Sequence, residues 1–166
     1  MFRLRQDAEE WMQKIASSHP ISSKFDLYYL CVMVGLAKGE MSNPRENGRN
    51  APEFVRVFIE DYKPSQHLIV ALLIVAELGR LGITMSEKES VRNCIKRLVK
   101  PDSQTGLTDE GIETLNKYAS GGFDCIRAKY GYSKPQKTEV FLQNIVNLTR
   151  ELLEDNRNWI SAVEIN

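Results

Sequence analysis

Apolar residues recur at steps of three and four along most of this 166-residue chain, and that spacing constrains the fold more than any other feature. Residues at such steps lie on one face of an α-helix, so each segment of this kind predicts an amphipathic helix. The first covers residues 4–15 and is predicted to end before Pro20, because proline disfavours helical backbone in the residue that precedes it. The second begins after a cap at Ser22 or Ser23 and ends at Gly39.

The middle of the chain is less regular. Residues 39–52 are rich in turn formers and charges, which predicts a long polar loop. After it, the alternation over residues 55–57 would fit a strand, but the apolar residues over 54–59 also fit one face of a helix. Because no partner strand is evident, a helix over 53–61 is the favoured interpretation.

Four further helices complete the predicted fold. They begin after Ser65, at a capping box of Ser86 and Glu89, after Thr108, and at about residue 138. The most apolar run, 68–76, has nine residues where a bilayer span needs roughly 20, so a buried core helix is predicted there. The sequence thus predicts an all-α, compact single-domain bundle of six or seven helices over residues 1–166, with a frayed C-terminal tail from about 156.

Charge and cysteine content indicate the class of protein and its cellular compartment. Twenty-two basic and 22 acidic residues give a net charge of zero, which argues against a general polycation such as a histone-like protein. Cys31, Cys94 and Cys125 are too far apart for a disulfide framework or a metal-binding pair and fit a reducing compartment. The N-terminus turns acidic at Asp7, where a signal peptide would need an apolar stretch. We therefore expect a cytoplasmic protein without a membrane partner.

Residues suited to catalysis are few. His19 and His67 are the only histidines, and neither has a second ligand at a metal-binding offset. Neither standard phosphate-binding loop is present, so we expect no metal, no cofactor and no enzymatic activity. Glu77 follows the most apolar run and is expected to be half-buried and paired with an arginine of another helix. The three thiols are expected to be buried and structural.

Two sets of basic residues are the first of two sequence features that suggest a contact surface. Four of them recur every four residues and Arg97 joins them, giving the set Lys88, Arg92, Lys96, Arg97 and Lys100. A second cluster contains Arg127 and Lys129, with Lys134, Lys137, Tyr130 and Tyr132 nearby. Such a face could contact a partner protein or the phosphates of a nucleic acid. The alternative is a solvated face whose charges pair with the acidic last helix (Glu139, Glu151, Glu154 and Asp155).

The second feature is a glycine pair inside a helical pattern, in the segment Tyr118, Gly121, Gly122 and Phe123. Each glycine costs about 1 kcal/mol relative to alanine in a helix, so the pair is expected to have a structural reason. It would either let another helix approach closely or interrupt the helix and present Phe123.

Two segments resemble a known family. Phe25–Gly39 is an apolar helix that ends in a small, basic turn, and Thr108–Ile112 is followed by a tyrosine, alanine, small, glycine, glycine pattern in Tyr118–Asp124. Together they resemble small helical accessory proteins encoded beside bacterial DNA phosphorothioation (Dnd-type) and related phage-defence gene clusters. The resemblance implies a cytoplasmic accessory component that works with a larger protein of a DNA-processing system, and it transfers no catalytic residue.

The sequence therefore predicts a non-catalytic interaction module, an accessory subunit whose partner is a larger protein of a defence or DNA-modification assembly. A nucleic-acid-binding accessory protein that uses the basic helix face is the alternative. Self-association into a homo-oligomer stays open at this stage.

Overall fold

A computed structural model describes residues 1–131 and 133–156. Six α-helices of the described chain pack around one apolar core, which confirms the all-helical fold class. The helices are α1 (Gln6–Trp11), α2 (Lys24–Lys38), α3 (Gln66–Leu81), α4 (Lys88–Leu98), α5 (Asp109–Tyr130) and α6 (Thr138–Asp155). The tail expected from about residue 156 lies outside the described residues, apart from its first residue.

A small antiparallel sheet corrects the expectation for residues 53–61. Strand β1 (Phe2–Arg3) pairs with β2 (Glu53–Val55), and a 3₁₀ helix at Glu60–Ser65 follows. The favoured helix over 53–61 is therefore wrong. The partner strand lies about fifty residues earlier in the sequence, so local spacing could not reveal it. Phe2 anchors the pair, because its buried ring meets the ring of Phe58 with centroids 5.0 Å apart.

The first helix is shorter than its apolar spacing predicts. Regular α-helix ends at Trp11, and the chain continues in turns whose backbone bonds span three residues, such as Ile15 N to Met12 O at 3.0 Å and Ser18 N to Ile15 O at 3.1 Å. Met12 and Ile15 are nevertheless fully buried, as the spacing predicted. Turns of this kind preserve the three-residue period of side chains without a continuous α-helix.

Local signals set most of the other helix ends. Ser23 caps α2 and forms a capping box with Asp26, and Gly39 ends the helix with a φ of 71° that favours glycine. The Thr108 hydroxyl caps α5 by accepting from the Gly111 N–H at 2.9 Å. The predicted capping box of Ser86 and Glu89 is wrong, because α4 begins only at Lys88. The turn before α4 is closed instead by the Glu87 carboxylate, which accepts a hydrogen bond from the Thr84 N–H.

Helix α3 is buried on one side only, which corrects the expectation of a buried core helix. Ile69 and Leu73 face the core, whereas Leu68 is 58% exposed and Val75 is 49% exposed. Glu60–Leu81 is the one stretch of the described chain that is long and apolar enough, by length and composition alone, to cross a membrane. An exposed apolar side on an otherwise packed helix therefore needs an explanation.

Helices α2 and α5 make the most extensive contact in the fold. Helix α6 also packs against α2, while α4 packs against both α5 and α3. The large side chains that fill this centre include Tyr28, Leu115 and Phe123, which are at most 1% exposed. The α3–α4 pair consequently sits at the periphery, and its outer side faces solvent.

Candidate interaction surface

Three basic side chains form an exposed row on α4. Lys88, Arg92 and Lys96 follow each other at steps of four, and all three are exposed. Cys94 and Leu98 fill the opposite, buried side of the helix. Within the described residues none of these three cations forms an ion pair with a carboxylate, whereas Arg97 forms two. We call Lys88, Arg92 and Lys96 the basic face.

Two members of the predicted ladder do not belong to the basic face. Lys100 lies beyond the end of α4, in the turn after Val99, so the fourth step is not helical, although its side chain is exposed. Arg97 is turned towards the protein, where its guanidinium lies 2.6 Å from Glu77 Oε2 and 3.0 Å from Glu110 Oε1. Placing Arg97 beside Lys96 on the face was wrong, because neighbouring residues lie about 100° apart around a helix.

A buried carboxylate network fixes α4 on its neighbours. The Glu77 side chain is 0% exposed, which is deeper than the half-burial expected from the sequence. It accepts hydrogen bonds from Arg80 Nε at 2.7 Å, from Arg97 Nη2 at 2.6 Å and from the Tyr118 hydroxyl at 2.8 Å. These donors come from α3, α4 and α5 respectively, so one carboxylate joins three helices.

The electrostatics of that network keep Glu77 ionised. Burial alone would raise the pKa of the Glu77 carboxyl, but the hydrogen bonds from Arg80, Arg97 and Tyr118 outweigh it and lower the pKa to about 2. Burial and the adjacent carboxylate in turn raise the pKa of the Tyr118 hydroxyl. A carboxylate with so low a pKa and so many donors is a weak proton acceptor, and its contacts are those of a structural joint.

The second basic cluster is engaged in contacts of its own. Lys129 Nζ lies 2.7 Å from Glu151 Oε2 on α6, which is the pairing with the acidic last helix that the alternative interpretation expects. Arg127 lies 3.4 Å from Asp7 and stacks over the Phe123 ring at 5.7 Å. Tyr132, which the sequence placed in this cluster, lies outside the described residues. Arg127 and Lys129 therefore hold elements together and do not extend the basic face.

The glycine pair lies where α5 meets backbone of other segments: Gly122 lies against α2, and Gly121 lies against Glu40 and Met41 just after α2. Helix α5 runs through Gly121 and Gly122 without a break, so the expected interruption is wrong. A Cβ on Gly122 would collide with the Cys31 carbonyl of α2 and lie 2.6 Å from the Gly35 nitrogen. Phe123 is 1% exposed and is not presented to solvent. Of the two reasons considered for the pair, the geometry is that of close helix approach.

Sequence reasoning missed a polar cluster that ties the 39–52 loop to α5. The Arg5 guanidinium, 3% exposed, lies 2.6 Å from Asp124 Oδ1 and also 2.6 Å from Asp7 Oδ2. The Ser42 hydroxyl donates to Asp124 Oδ2 at 2.7 Å. No local pattern could have found this cluster, because Arg5, Ser42 and Asp124 are far apart in sequence and meet only through the fold.

The thiols and histidines fit structural or solvent-exposed roles. Cys31 and Cys94 are buried, but Cys125 is half-buried, which corrects the expectation for that residue. Burial, as the largest cause, and the nearby Glu40 carboxylate raise the pKa of Cys125 to about 12, so its thiol stays protonated at neutral pH. His19 and His67 are both exposed. In residues 1–131 and 133–156, no group of three or more metal-ligating side chains is assembled.

Comparison with protein-family models, with curated proteins and with solved structures finds no match to this chain. The family resemblance noted in Phe25–Gly39 and Thr108–Asp124 stays an expectation. Those two segments form α2 and the first part of α5, which is the central contact of the fold. The resemblance therefore concerns the scaffold, whereas the basic face lies on a different helix.

Proposed function

We propose that this chain is a non-catalytic helical interaction module, an accessory subunit that docks on a larger protein of a cytoplasmic phage-defence or DNA-modification assembly. The assembly and the compartment follow from the resemblance and the sequence, and the docking mode follows from the basic face. Glu77 and Cys125, the residues best suited to chemistry, are both occupied by structural contacts, which supports binding over catalysis.

The observation that carries this proposal is a row of exposed basic side chains on α4 that form no ion pair within the part of the chain that the structure describes. Arg97 fastens α4 to Glu77 and Glu110, so the helix is held in place while Lys88, Arg92 and Lys96 point outward. A row of exposed cations on a fixed element is typical of a surface that steers an oppositely charged partner.

A protein partner is favoured over a nucleic acid by the apolar residues around the basic face. Ile95, on the same helix, is 37% exposed, and Met85, in the turn before α4, is 59% exposed. Exposed apolar side chains beside cations match the mixed composition of protein interfaces. A nucleic acid bound through its phosphates would leave these apolar side chains exposed. The net charge of zero also predicts only weak nucleic-acid binding.

The test is charge reversal on the basic face. We expect Arg92→Glu/Lys96→Glu to abolish capture of stoichiometric protein partners from nuclease-treated host extract, because both side chains are exposed and the core is untouched. The matched control is Arg45→Glu/Arg56→Glu, which reverses two exposed arginines outside α4. Unchanged melting by circular dichroism would show that both variants are folded.

Each outcome discriminates between the candidates. Loss of capture in the α4 variant alone supports protein docking. A wild type whose only partner is nucleic acid, bound with steep salt dependence and lost in the α4 variant, favours the alternative of a nucleic-acid-binding accessory protein, for which the four-residue spacing of the cations is the supporting observation. Full retention of capture by the α4 variant rejects the basic face as a site.

A further inference from the structure

We propose that Asn47 is a site of spontaneous covalent modification, at which the side-chain amide is converted to a carboxylate through a cyclic succinimide formed with Gly48. The only co-reactant is solvent water. The inference concerns the 39–52 loop and does not depend on how the module docks on a partner.

The sequence supplies the reacting pair once. Asn47 is followed by Gly48, and no other asparagine of the chain precedes a glycine. Ring closure brings the backbone nitrogen of the next residue against the asparagine Cγ, so a side chain on that next residue hinders the approach. Glycine has no side chain and leaves the backbone freest to turn. Asparagine is also one of the chemically labile residues of proteins.

Both reacting groups are accessible in the folded chain. Asn47 and Gly48 are exposed and lie in a turn, with φ angles of 57° and 74°. No atom beyond the chain neighbours lies within 4 Å of the position that a Cβ would take at Gly48. Among residues 1–131 and 133–156, neither the Asn47 amide nor the Gly48 N–H has a hydrogen-bond partner. No hydrogen bond therefore has to break before the two groups meet.

The reaction balances without an oxidant or an enzyme. The Gly48 nitrogen loses its proton to solvent and attacks Asn47 Cγ, which forms the new C–N bond of the succinimide. The bond from Cγ to the side-chain nitrogen breaks, and that nitrogen leaves as ammonia with a proton taken from water. Water then opens the ring. Cleavage at Cγ gives aspartate, whereas cleavage at the backbone carbonyl carbon of Asn47 gives isoaspartate, in which the main chain runs through the former side chain.

The other asparagines up to residue 147 are held away from this reaction. Asn43 precedes proline, whose nitrogen carries no hydrogen to lose. Asn50 is exposed in the same loop, but its Nδ2 donates to Gln6 Oε1 at 2.9 Å and the next residue is Ala51, which is 3% exposed. In a helix, the N–H that would attack is already hydrogen-bonded to a carbonyl four residues earlier. This applies to the asparagines inside helices, which are Asn93, Asn116, Asn144 and Asn147.

The modification would change the part of the loop that lies between two attachments to α5. The Ser42 hydroxyl donates to Asp124 Oδ2 at 2.7 Å, and Arg49 lies 3.5 Å from the same carboxylate oxygen. Isoaspartate at position 47 lengthens the main chain between these attachments and adds a negative charge. We expect the core to be unaffected, because Asn47 makes no contact with it.

Incubation of the folded wild-type chain in heavy-oxygen water at neutral pH tests the proposal. Peptide mass spectrometry locates each converted asparagine, and electron-transfer fragmentation distinguishes isoaspartate from aspartate. Asn50 is the internal control, because it is exposed in the same loop. We expect conversion at Asn47 to be at least about tenfold faster than at Asn50, with heavy oxygen incorporated and isoaspartate as the major product.

A pair of glycine variants separates ring closure from simple exposure of the amide. Gly48→Ala places a methyl group beside the attacking nitrogen and should slow conversion of Asn47 at least about tenfold. Gly82→Ala is the matched control, since Gly82 is an exposed glycine with a φ of 66° and open space around it, and it should leave the rate at Asn47 unchanged. Equal rates at Asn47 and Asn50, aspartate without isoaspartate, or wild-type conversion in Gly48→Ala would each overturn the inference.

Discussion

The α2–α5 contact and the α3–α4 pair are built in opposite ways. Between α2 and α5 the backbones touch, because Gly35 and Gly122 remove the side chains that would keep the helices apart. The α3–α4 pair is joined by a buried carboxylate, Glu77, and its outer side exposes Leu68 and Val75. The facing sides of α2 and α5 are buried, whereas the outer side of the α3–α4 pair leaves apolar and basic side chains in solvent.

This difference indicates a division of roles. Backbone contact at glycine tolerates no change of side chain, which suits a region that only has to hold the fold. An ion-pair joint fixes orientation without covering the outer surface, which suits a region that presents residues to a partner. Substitutions in the two regions should therefore differ in how much stability they remove.

Gly122→Val should have the largest effect. Valine would place its Cβ against the Cys31 carbonyl, where backbone of α2 leaves no room. We expect a loss of more than about 4 kcal/mol, seen as the absence of a cooperative thermal transition by circular dichroism. The control is Ala128→Val, at an exposed position of the same helix. Wild-type melting of Gly122→Val would refute backbone contact as the basis of the fold.

Replacing two neighbouring leucines of α3 should show that its inner and outer sides contribute differently to stability. Leu73 is 0% exposed, so Leu73→Ala should cost about 3 to 4 kcal/mol in urea unfolding through lost burial and a cavity. Leu72 is half-buried on the outer side of α3, and Leu72→Ala should cost less than about 1 kcal/mol. Similar losses for the two variants would mean that α3 is packed all round.

The Glu77 joint should give a defined pH dependence. Its pKa of about 2 in the folded protein is below the ordinary 4.5, so the ionised carboxylate stabilises the fold above pH 4.5, and this contribution is lost as pH falls towards 2. The shift corresponds to about 3 kcal/mol. Urea unfolding of wild type and Glu77→Gln should therefore differ most at neutral pH and converge near pH 2. A difference independent of pH would contradict the ionised joint.

Charge removal on the basic face should barely change stability. Arg92→Ala and Lys96→Ala remove exposed cations that form no ion pair among residues 1–131 and 133–156, and each should stay within about 0.5 kcal/mol of wild type. Arg97→Ala is the contrasting variant, because it removes a partner of buried Glu77 and should cost several times more. If all three variants were equally neutral, Arg97 would not hold α4 in place.

The features that the sequence predicted correctly are ones that depend on residues close together in the chain. The cap at Ser23, the glycine stop at Gly39 and the Thr108 cap each depend on residues within one helical turn. The β1–β2 pair and the contact of Arg5 with Asp124 join residues far apart in sequence, and no local spacing encodes them.

For the candidate site, sequence reasoning predicted the position of the basic row but not its boundaries. Lys88, Arg92 and Lys96 share one side of α4 because steps of four drift slowly around a helix. Arg97 was included by sequence proximity, yet its direction is decided by Glu77 on another helix. The exposed side of α3 was missed, because an all-round apolar helix carries no signal of which side the core will use.

Amide hydrogen exchange of the isolated wild-type chain tests the division between scaffold and surface most directly. It reports the free energy of local opening for each helix. We predict the slowest exchange, set by global unfolding, in the facing segments of α2 and α5, around Gly35 and Gly122, and measurably faster exchange along the outer side of α3. If α3 were as strongly protected as α2 and α5, the two regions would form one cooperative unit, and the proposed separation between scaffold and binding surface would be contradicted.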